Sequence, residues 1–210
     1  MAAEEWTTAE HVLRYLARAD AYPHHAEGEG VLIEQVPGDA WRILDLGTGD
    51  GRLLALLRIE RREMLGVGLD LSEPMLEAAR ERFADDGRVE FVGHDLAEPL
   101  PALGRFDAVV SSFAIHHLEH ERKRALYGEV FDRLRPGGRF VNAEHVASAT
   151  PALHVEFLEK LGTSPENDDP SNQLVPTDTH VSWLEGCGFV NVDCFWKWRE
   201  LAVVAGTKPL

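Results

Sequence analysis

Three glycines and three acids are spaced so that they can meet around one nucleotide. Asp45, Gly47, Gly49 and Gly51 lie in "ILDLGTGDGR", at the end of a short apolar run. Glycine at such a turn lets the backbone approach a ligand closely and adopt positive φ. Asp70 ends a second apolar run, in "VGLDLS", and Asp95 ends a third, in "FVGHDL". An acid at the end of the second strand can accept hydrogen bonds from both hydroxyls of a ribose. Further along, "SSFAIHHLE" carries Ser112, Phe113, His116 and His117, and "NAEHV" carries Asn142, Glu144 and His145. The stretch "FWKWRE" adds Trp196, Trp198 and Glu200. Histidine beside a carboxylate can move protons, so His117, Glu144 and His145 are the catalytic candidates. His116, His117, Asn142, Trp196 and Trp198 are the substrate-binding candidates, since indoles and polar groups together suit an aromatic or cationic small molecule.

These residues need a scaffold that delivers them to one place. From "WRILDLG" onward, apolar runs of strand length alternate with helical patterns. That order predicts an α/β fold, a parallel sheet with helices on both faces. Ser72 stands where it would cap a helix over "SEPMLEAARERFA", which places Met75, Ala79 and Phe83 on one side. "ERKRALYGEVFDRLR" reads as a helix ended by "PGG", and "RFVNAEHVA" as the fifth strand. "FVNVDCFW" and "LAVVAGTK" are separated only by "KWRE", too short a link for parallel neighbours, so they are expected to pair antiparallel. Ahead of the sheet, "TTAEHVLRYLARAD" (7–20) has helical spacing, and a connector holding His24 and His25 leads to a second helix near 27–36. An acidic, proline-containing loop spans 164–176. In an open parallel sheet, ligands sit beyond the carboxyl ends of the strands. The glycine turn and the exits of strands four and five share that edge.

The glycine pattern is not that of a dinucleotide site. With Gly47 and Gly49 as the first two glycines of G-x-G-x-x-G, the third falls at Arg52. The pattern Asp45-x-Gly47-x-Gly49-x-Gly51 resembles motif I of the class I S-adenosylmethionine-dependent methyltransferases. "LRPGGRF" (134–140) is similar to that family's turn before strand five, and the closing hairpin to its reversed seventh strand. The resemblance covers roughly residues 40–205. It implies a Rossmann-like fold: a seven-stranded, mostly parallel sheet with an antiparallel last strand. The whole chain is then one domain, with a helical lid over 1–38 and the core over 40–208.

The resemblance further implies S-adenosylmethionine as cofactor. Asp45, Gly47, Thr48 and Gly49 would face its methionine part, Asp70 and Leu71 its ribose, and Met75, Asp95 and Leu96 its adenine, with Ser112 and Phe113 at the exit of strand four. Tyr22 lies 25 residues before Gly47, a spacing similar to that of a cofactor-touching tyrosine in carboxy-S-adenosylmethionine synthases, which act in tRNA modification. Those enzymes carry an arginine near the place of Ser182 or Trp183, and an asparagine where Ser112 stands. These departures leave ordinary methyl transfer to a small-molecule acceptor. Competing readings are a non-catalytic cofactor-binding regulator, a carboxy-S-adenosylmethionine-type or tRNA-modification enzyme, and a nicotinamide oxidoreductase, the last disfavoured by Arg52.

Charge narrows the partners. The chain has 36 acidic and 21 basic side chains, a net charge of −15 that repels phosphate backbones and argues against nucleic acid. "IERRE" (59–63) and "HERKR" (120–124) mix signs and read as solvated helix faces. Neither a basic–apolar leader nor a membrane-length apolar run is present, and the two cysteines, Cys187 and Cys194, fit no zinc or CxxC spacing. The expectation is a cytoplasmic protein with no membrane partner. No metal is assigned; His117, Glu144 and His145 have the ligand types for iron or zinc, which would matter only if they converged.

Overall fold

The computed structural model of the chain describes residues 23–210; Tyr22 and the helix expected over 7–20 lie outside them. Strand β1 (Arg42–Leu46) runs through the middle of a seven-stranded sheet, and its last four residues are buried. It is covered on both faces, which is why it reads as one apolar run. β2 (Leu65–Asp70) and then β3 (Val89–Gly93) extend the sheet to one side. β4 (Phe106–Ser112), β5 (Leu134–His145), β7 (Leu201–Thr207) and β6 (Val190–Trp198) extend it to the other. β7 is antiparallel to both its neighbours, and every other pairing is parallel. The chain order reverses between β1 and β4, so the crevice above Leu46 and Ser111, which are register partners, is the switch point of the sheet.

Helices cover both faces. On one side α1 (His25–Gln35) and α2 (Arg52–Glu60) bury Leu32, Leu53, Leu54 and Leu57 against Ile43, Val110, Val141 and Val203. On the other, α4 (His120–Arg133) and α6 (Thr177–Gly186) bury Leu126, Tyr127, Val130 and Leu184 against Leu44, Val109 and Phe140. Truncating one such fully buried leucine, Leu57, to alanine costs about 2–5 kcal/mol. α3 (Glu73–Arg82) packs on β3 and β2 through Met75, Leu76 and Ala79. α5 (Pro151–Lys160) buries only Phe157 and Leu158 and leaves Leu153 and Val155 exposed, so its sequence carries no clean amphipathic stripe and gave no helical signal.

Several expectations are corrected. The helix near 27–36 begins at His25, so His25 is helical, and its ring stacks on Phe113 at 5.5 Å. α4 ends at Arg133, and "LRPGG" belongs to β5 as a bulge between the Phe106–Leu134 and Ala108–Arg139 pairs. Gly138 is required there, since a Cβ would lie 2.9 Å from the Arg135 carbonyl and 3.0 Å from that of Asp107. Ser72 does occupy the N-cap of α3, but its hydroxyl makes no capping bond; Asp70 Oδ1 takes the Ser72 amide instead. The two mixed-charge stretches are not wholly solvated. Lys123 is fully buried, and Arg61 is buried with its guanidinium on the carbonyls of Val36 and Pro37.

Candidate active site

The glycine loop is braced from two strands. The amides of Gly47 and Thr48 both donate to the Leu69 carbonyl at 2.8 Å, and the Gly49 amide donates to Asp70 Oδ2 at 2.8 Å. Gly47 has φ +71°, and a Cβ on it would fall 2.1 Å from that of Ala114, beyond β4. Only glycine permits that approach. Asp70 Oδ1 accepts from the Ser72 amide at 2.8 Å. The two oxygens of Asp70 thus take backbone amides from the loop and from the start of α3, and acceptor capacity remains on the carboxylate. Burial raises the Asp70 carboxyl above its usual range, against the pull of the Ser72, Gly49 and Leu71 amides.

Asp45 is buried beneath the loop. Its Oδ2 accepts from the Thr48 hydroxyl at 2.8 Å, and Oδ1 has no partner among the described residues. Burial pushes its pKa up to about 7, Thr48 opposes the shift, and the nearby Asp70 and Asp50 add to it. Asp45 thus bonds a side chain of the loop and not its amides. Met75 is buried in the core, and its sulfur lies 4.0 Å from where a Cβ on Gly49 would be. Asp95 and Leu96 follow β3; Asp95 Oδ1 accepts from the Ala97 amide at 2.8 Å and so closes a turn. Leu71 is partly exposed beside Asp70. Arg52, in place of a third fingerprint glycine, makes a two-pronged ion pair with Glu29 of α1, both contacts at 3.0 Å.

The exits of β4 and β5 assemble the histidines. Ser112 ends β4, and Phe113 follows it with φ +51°, its amide on the Ala143 carbonyl at 2.8 Å. A left-handed phenylalanine is a strained turn of the kind found at functional sites. It sends the chain into a short 3-10 turn, Ile115–His117. His116 is buried, with Nδ1 3.0 Å from Glu144 Oε1. Glu144 is fully buried; it also accepts from the His145 amide at 3.0 Å and from Asn142 Nδ2 at 3.1 Å. A carboxylate oxygen accepts, so Nδ1 of His116 carries the ring proton and Nε2 the lone pair. Burial above all, then His145 and Lys123, holds His116 well below the ordinary histidine range.

His117 turns the other way. Its Nδ1 is 2.8 Å from the Ser171 hydroxyl, which donates to Asp169 Oδ1 at 2.7 Å. Burial, with His116 beside it, lowers its pKa to about 3. His145 Nε2 goes to Glu200 Oε2 at 2.9 Å, and His154 Nδ1 reaches the same carboxylate at 2.9 Å. Burial works to raise Glu200, but hydrogen bonds from His145, Ser148 and His154 prevail and hold it below the usual range. His117, Glu144 and His145 therefore go to three separate partners, and no metal-holding cluster occurs among the described residues. Trp196 lies flat against α1, where a Cβ on Gly28 would be 2.8 Å from the indole. The Trp198 ring is 4.6 Å from that of His24 and 6.0 Å from that of Phe157. Both indoles are engaged in packing between the hairpin and helices α1 and α5.

Glu144, expected from the sequence to act with His117, is instead paired with His116, a substrate-binding candidate. The structure also adds His154, Asp169 and Ser171 to the neighbourhood. They come from α5 and the acidic loop, and nothing in their spacing relates them to the histidines.

The family model described as "Methyltransferase domain" matches residues 43–138. A demethylmenaquinone methyltransferase of Clavibacter sepedonicus is 33% identical over 168 residues, 72% of this chain and 66% of that protein. Over its sheet core the chain is similar to methyltransferases. A carboxy-S-adenosyl-L-methionine synthase of Desulforapulum autotrophicum is 28% identical over 185 residues, 80% of this chain and 74% of that protein. Human N-acetylserotonin methyltransferase, solved in complex with S-adenosylmethionine, superposes with a TM-score of 0.70 at 16% identity, covering 98% of this chain and 58% of the other. That is a likeness of fold. The chain spans just under two thirds of the demethylmenaquinone methyltransferase it matches.

The glycine loop fits S-adenosylmethionine, the ligand of that structural neighbour. The backbone at Gly47 and Gly49 is bare, Asp70 has acceptor positions to spare, and Asp45 Oδ1 is a buried carboxyl oxygen awaiting a partner.

Proposed function

We propose that the protein methylates a small, uncharged molecule through a group that arrives protonated, with His116 as the proton acceptor. The carrying observation is the buried His116–Glu144 pair at the exits of β4 and β5, on the same edge of the sheet as the glycine loop. When bound, the cofactor supplies an electrophilic methyl carbon on a sulfonium. Gly47 and Gly49 would receive its methionine part, Asp45 with Thr48 beneath it. Asp70 would accept from the ribose hydroxyls, with Leu71 beside it. Asp95, Met75 and Leu96 would flank the adenine, with Ser112 and Phe113 at the crevice and Tyr22 closing from the N-terminal side.

His116 is suited to take the acceptor's proton at Nε2, because Glu144 fixes its tautomer and stabilises the imidazolium once formed. The lowered pKa keeps the ring neutral at physiological pH but weakens it as a base, so proton uptake there would rely on the Glu144 carboxylate to offset the burial. Asn142 orients Glu144. His117, His145 and the two indoles would shape the acceptor's surroundings. The acceptor is uncharged for a stated reason. Among the described residues, the buried cation beside the His116 turn is Lys123, and it directs its ammonium at two backbone carbonyls and not at an acceptor. The same reason disfavours carboxymethyl chemistry. The domain reading is one unit, 1–210, with 1–38 as a lid. Free Cys187 and Cys194 support a cytoplasmic location, and among the described residues no helix is long and apolar enough to cross a membrane.

The test is transfer of labelled methyl from S-adenosylmethionine to a panel of neutral phenols, alcohols and quinols, alongside carboxylate-bearing analogues. Demethylmenaquinone belongs in the panel because a relative is named for it. Labelled neutral product, lost in His116→Ala, supports the reading. Transfer only to the charged analogues, or undiminished transfer by His116→Ala, contradicts it.

A further inference from the structure

Lys123 sits in the first turn of α4, in a stretch whose mixed charges predict solvent, yet it is fully buried. A buried ammonium is costly unless its donors are satisfied. Here two of its three donors are met by backbone carbonyls. Nζ donates to the His116 carbonyl at 3.1 Å and to the Gln173 carbonyl, and the Gln173 amide donates back to the His116 carbonyl at 2.9 Å. Three segments close a ring: α4, the His116–His117 turn, and the acidic loop. The loop is held again on either side of Gln173. Ser171 is bonded to His117, and the Val175 carbonyl accepts from the Ala147 amide at 2.9 Å.

We propose that Lys123 is a positioning residue for the methyl-transfer site: its ammonium clamps the backbone of the His116 turn to the loop at Gln173, and so keeps the His116 ring on Glu144. This rests on the reading of His116 as proton acceptor, but it is tested without any methyl acceptor. The charged and titratable groups around His116 are Glu144 and His145 from β5, His117 from its own turn, Lys123 from α4, Asp169 from the loop and His180 from α6. Of these Lys123 is the fixed cation, and it favours the neutral ring. Burial lowers the Lys123 pKa, and Glu144 and Glu119 oppose that shift.

Two readouts separate a clamp that tunes His116 from a lysine that merely fills space. One is the titration of the His116 ring, followed by NMR. The other is cleavage of the loop at the exposed Glu166 by a glutamate-specific protease. Lys123→Met should raise the His116 midpoint by roughly one pH unit and speed cleavage at least about tenfold, as the loop opens more often. Lys123→Arg should leave both nearer the wild type. If either readout of folded Lys123→Met matches the wild type, the proposal fails. Should that variant not fold, the intact protein answers: a hydrogen-bonded, buried Lys123 ammonium gives a slowly exchanging nitrogen resonance at neutral pH, and its absence overturns the clamp. Loss of methyl transfer in His116→Ala is a separate matter, so the clamp and the assignment of His116 can fail independently.

Discussion

The amide of Gly49 donates to Asp70 Oδ2 across 2.8 Å, which ties the glycine loop to the end of β2. Asp70 braces the loop, and under the proposed function its remaining acceptor capacity would serve a ribose. Asp70→Ala should cost about 1–3 kcal/mol of stability, the range for stranding buried donors. It should weaken S-adenosylmethionine binding by at least about tenfold. Thermal unfolding and calorimetric titration on the same preparation separate the two effects.

Asp45 should make both stability and cofactor binding pH-dependent. Its pKa is raised to about 7 when folded, from 3.8 when free. The folded chain thus holds a proton that the unfolded chain has lost. Stability from this group is full below about pH 4 and falls as pH rises to about 7, by on the order of 4 kcal/mol. Asp45→Asn, which can still accept from Thr48, should flatten that slope in denaturation curves across the window. A bound cation favours the ionised form, so S-adenosylmethionine should bind roughly tenfold tighter at pH 8 than at pH 6, with protons released. Titration in buffers of different ionisation enthalpy counts those protons.

His116 and Glu144 should behave as one unit. His116→Ala and Glu144→Gln should each lower turnover by about 10²–10⁴, and the double variant by little more. Cofactor affinity should stay within about threefold. His117→Ala should cost less, since Ser171 and not a buried acid holds that ring. Single-turnover rates with cofactor titrations measure both quantities.

Much of this was legible in the chain, and the limits have physical causes. Local signals place the sheet: β1, β2 and β4 are buried on both faces and read as apolar runs, and the four-residue link "KWRE" sets the antiparallel hairpin. Gly47 declares the loop because a side chain there would collide with Ala114, and Gly49 because its left-handed backbone favours glycine. The pairing of His116 with Glu144, and not His117 with Glu144, depends on a left-handed turn at Phe113 that no pattern announces. Lys123 looks like any surface lysine; the carbonyls that receive it lie on segments 7 and 50 residues away. Helix α5 escapes notice because two buried residues make no periodicity.

Arg52 stands where a dinucleotide-binding loop has glycine, and its work is to hold α1 through Glu29. Arg52→Gly restores the G-x-G-x-x-G spacing, yet it should not create NAD binding, because the loop is braced for a different ligand. The pair is partly exposed, so its loss should cost only about 0.5–1 kcal/mol. A double-mutant cycle with Glu29→Gln under chemical denaturation reads that coupling, and an NAD titration reads the rest.

Calorimetric titration of the wild-type chain with S-adenosylmethionine, S-adenosylhomocysteine and NAD tests the central claim most directly. Binding of the first two near micromolar concentrations, lost in Asp70→Ala and absent for NAD, is the predicted result. Binding of NAD with none of S-adenosylmethionine would contradict the reading of the glycine loop and every role built on it.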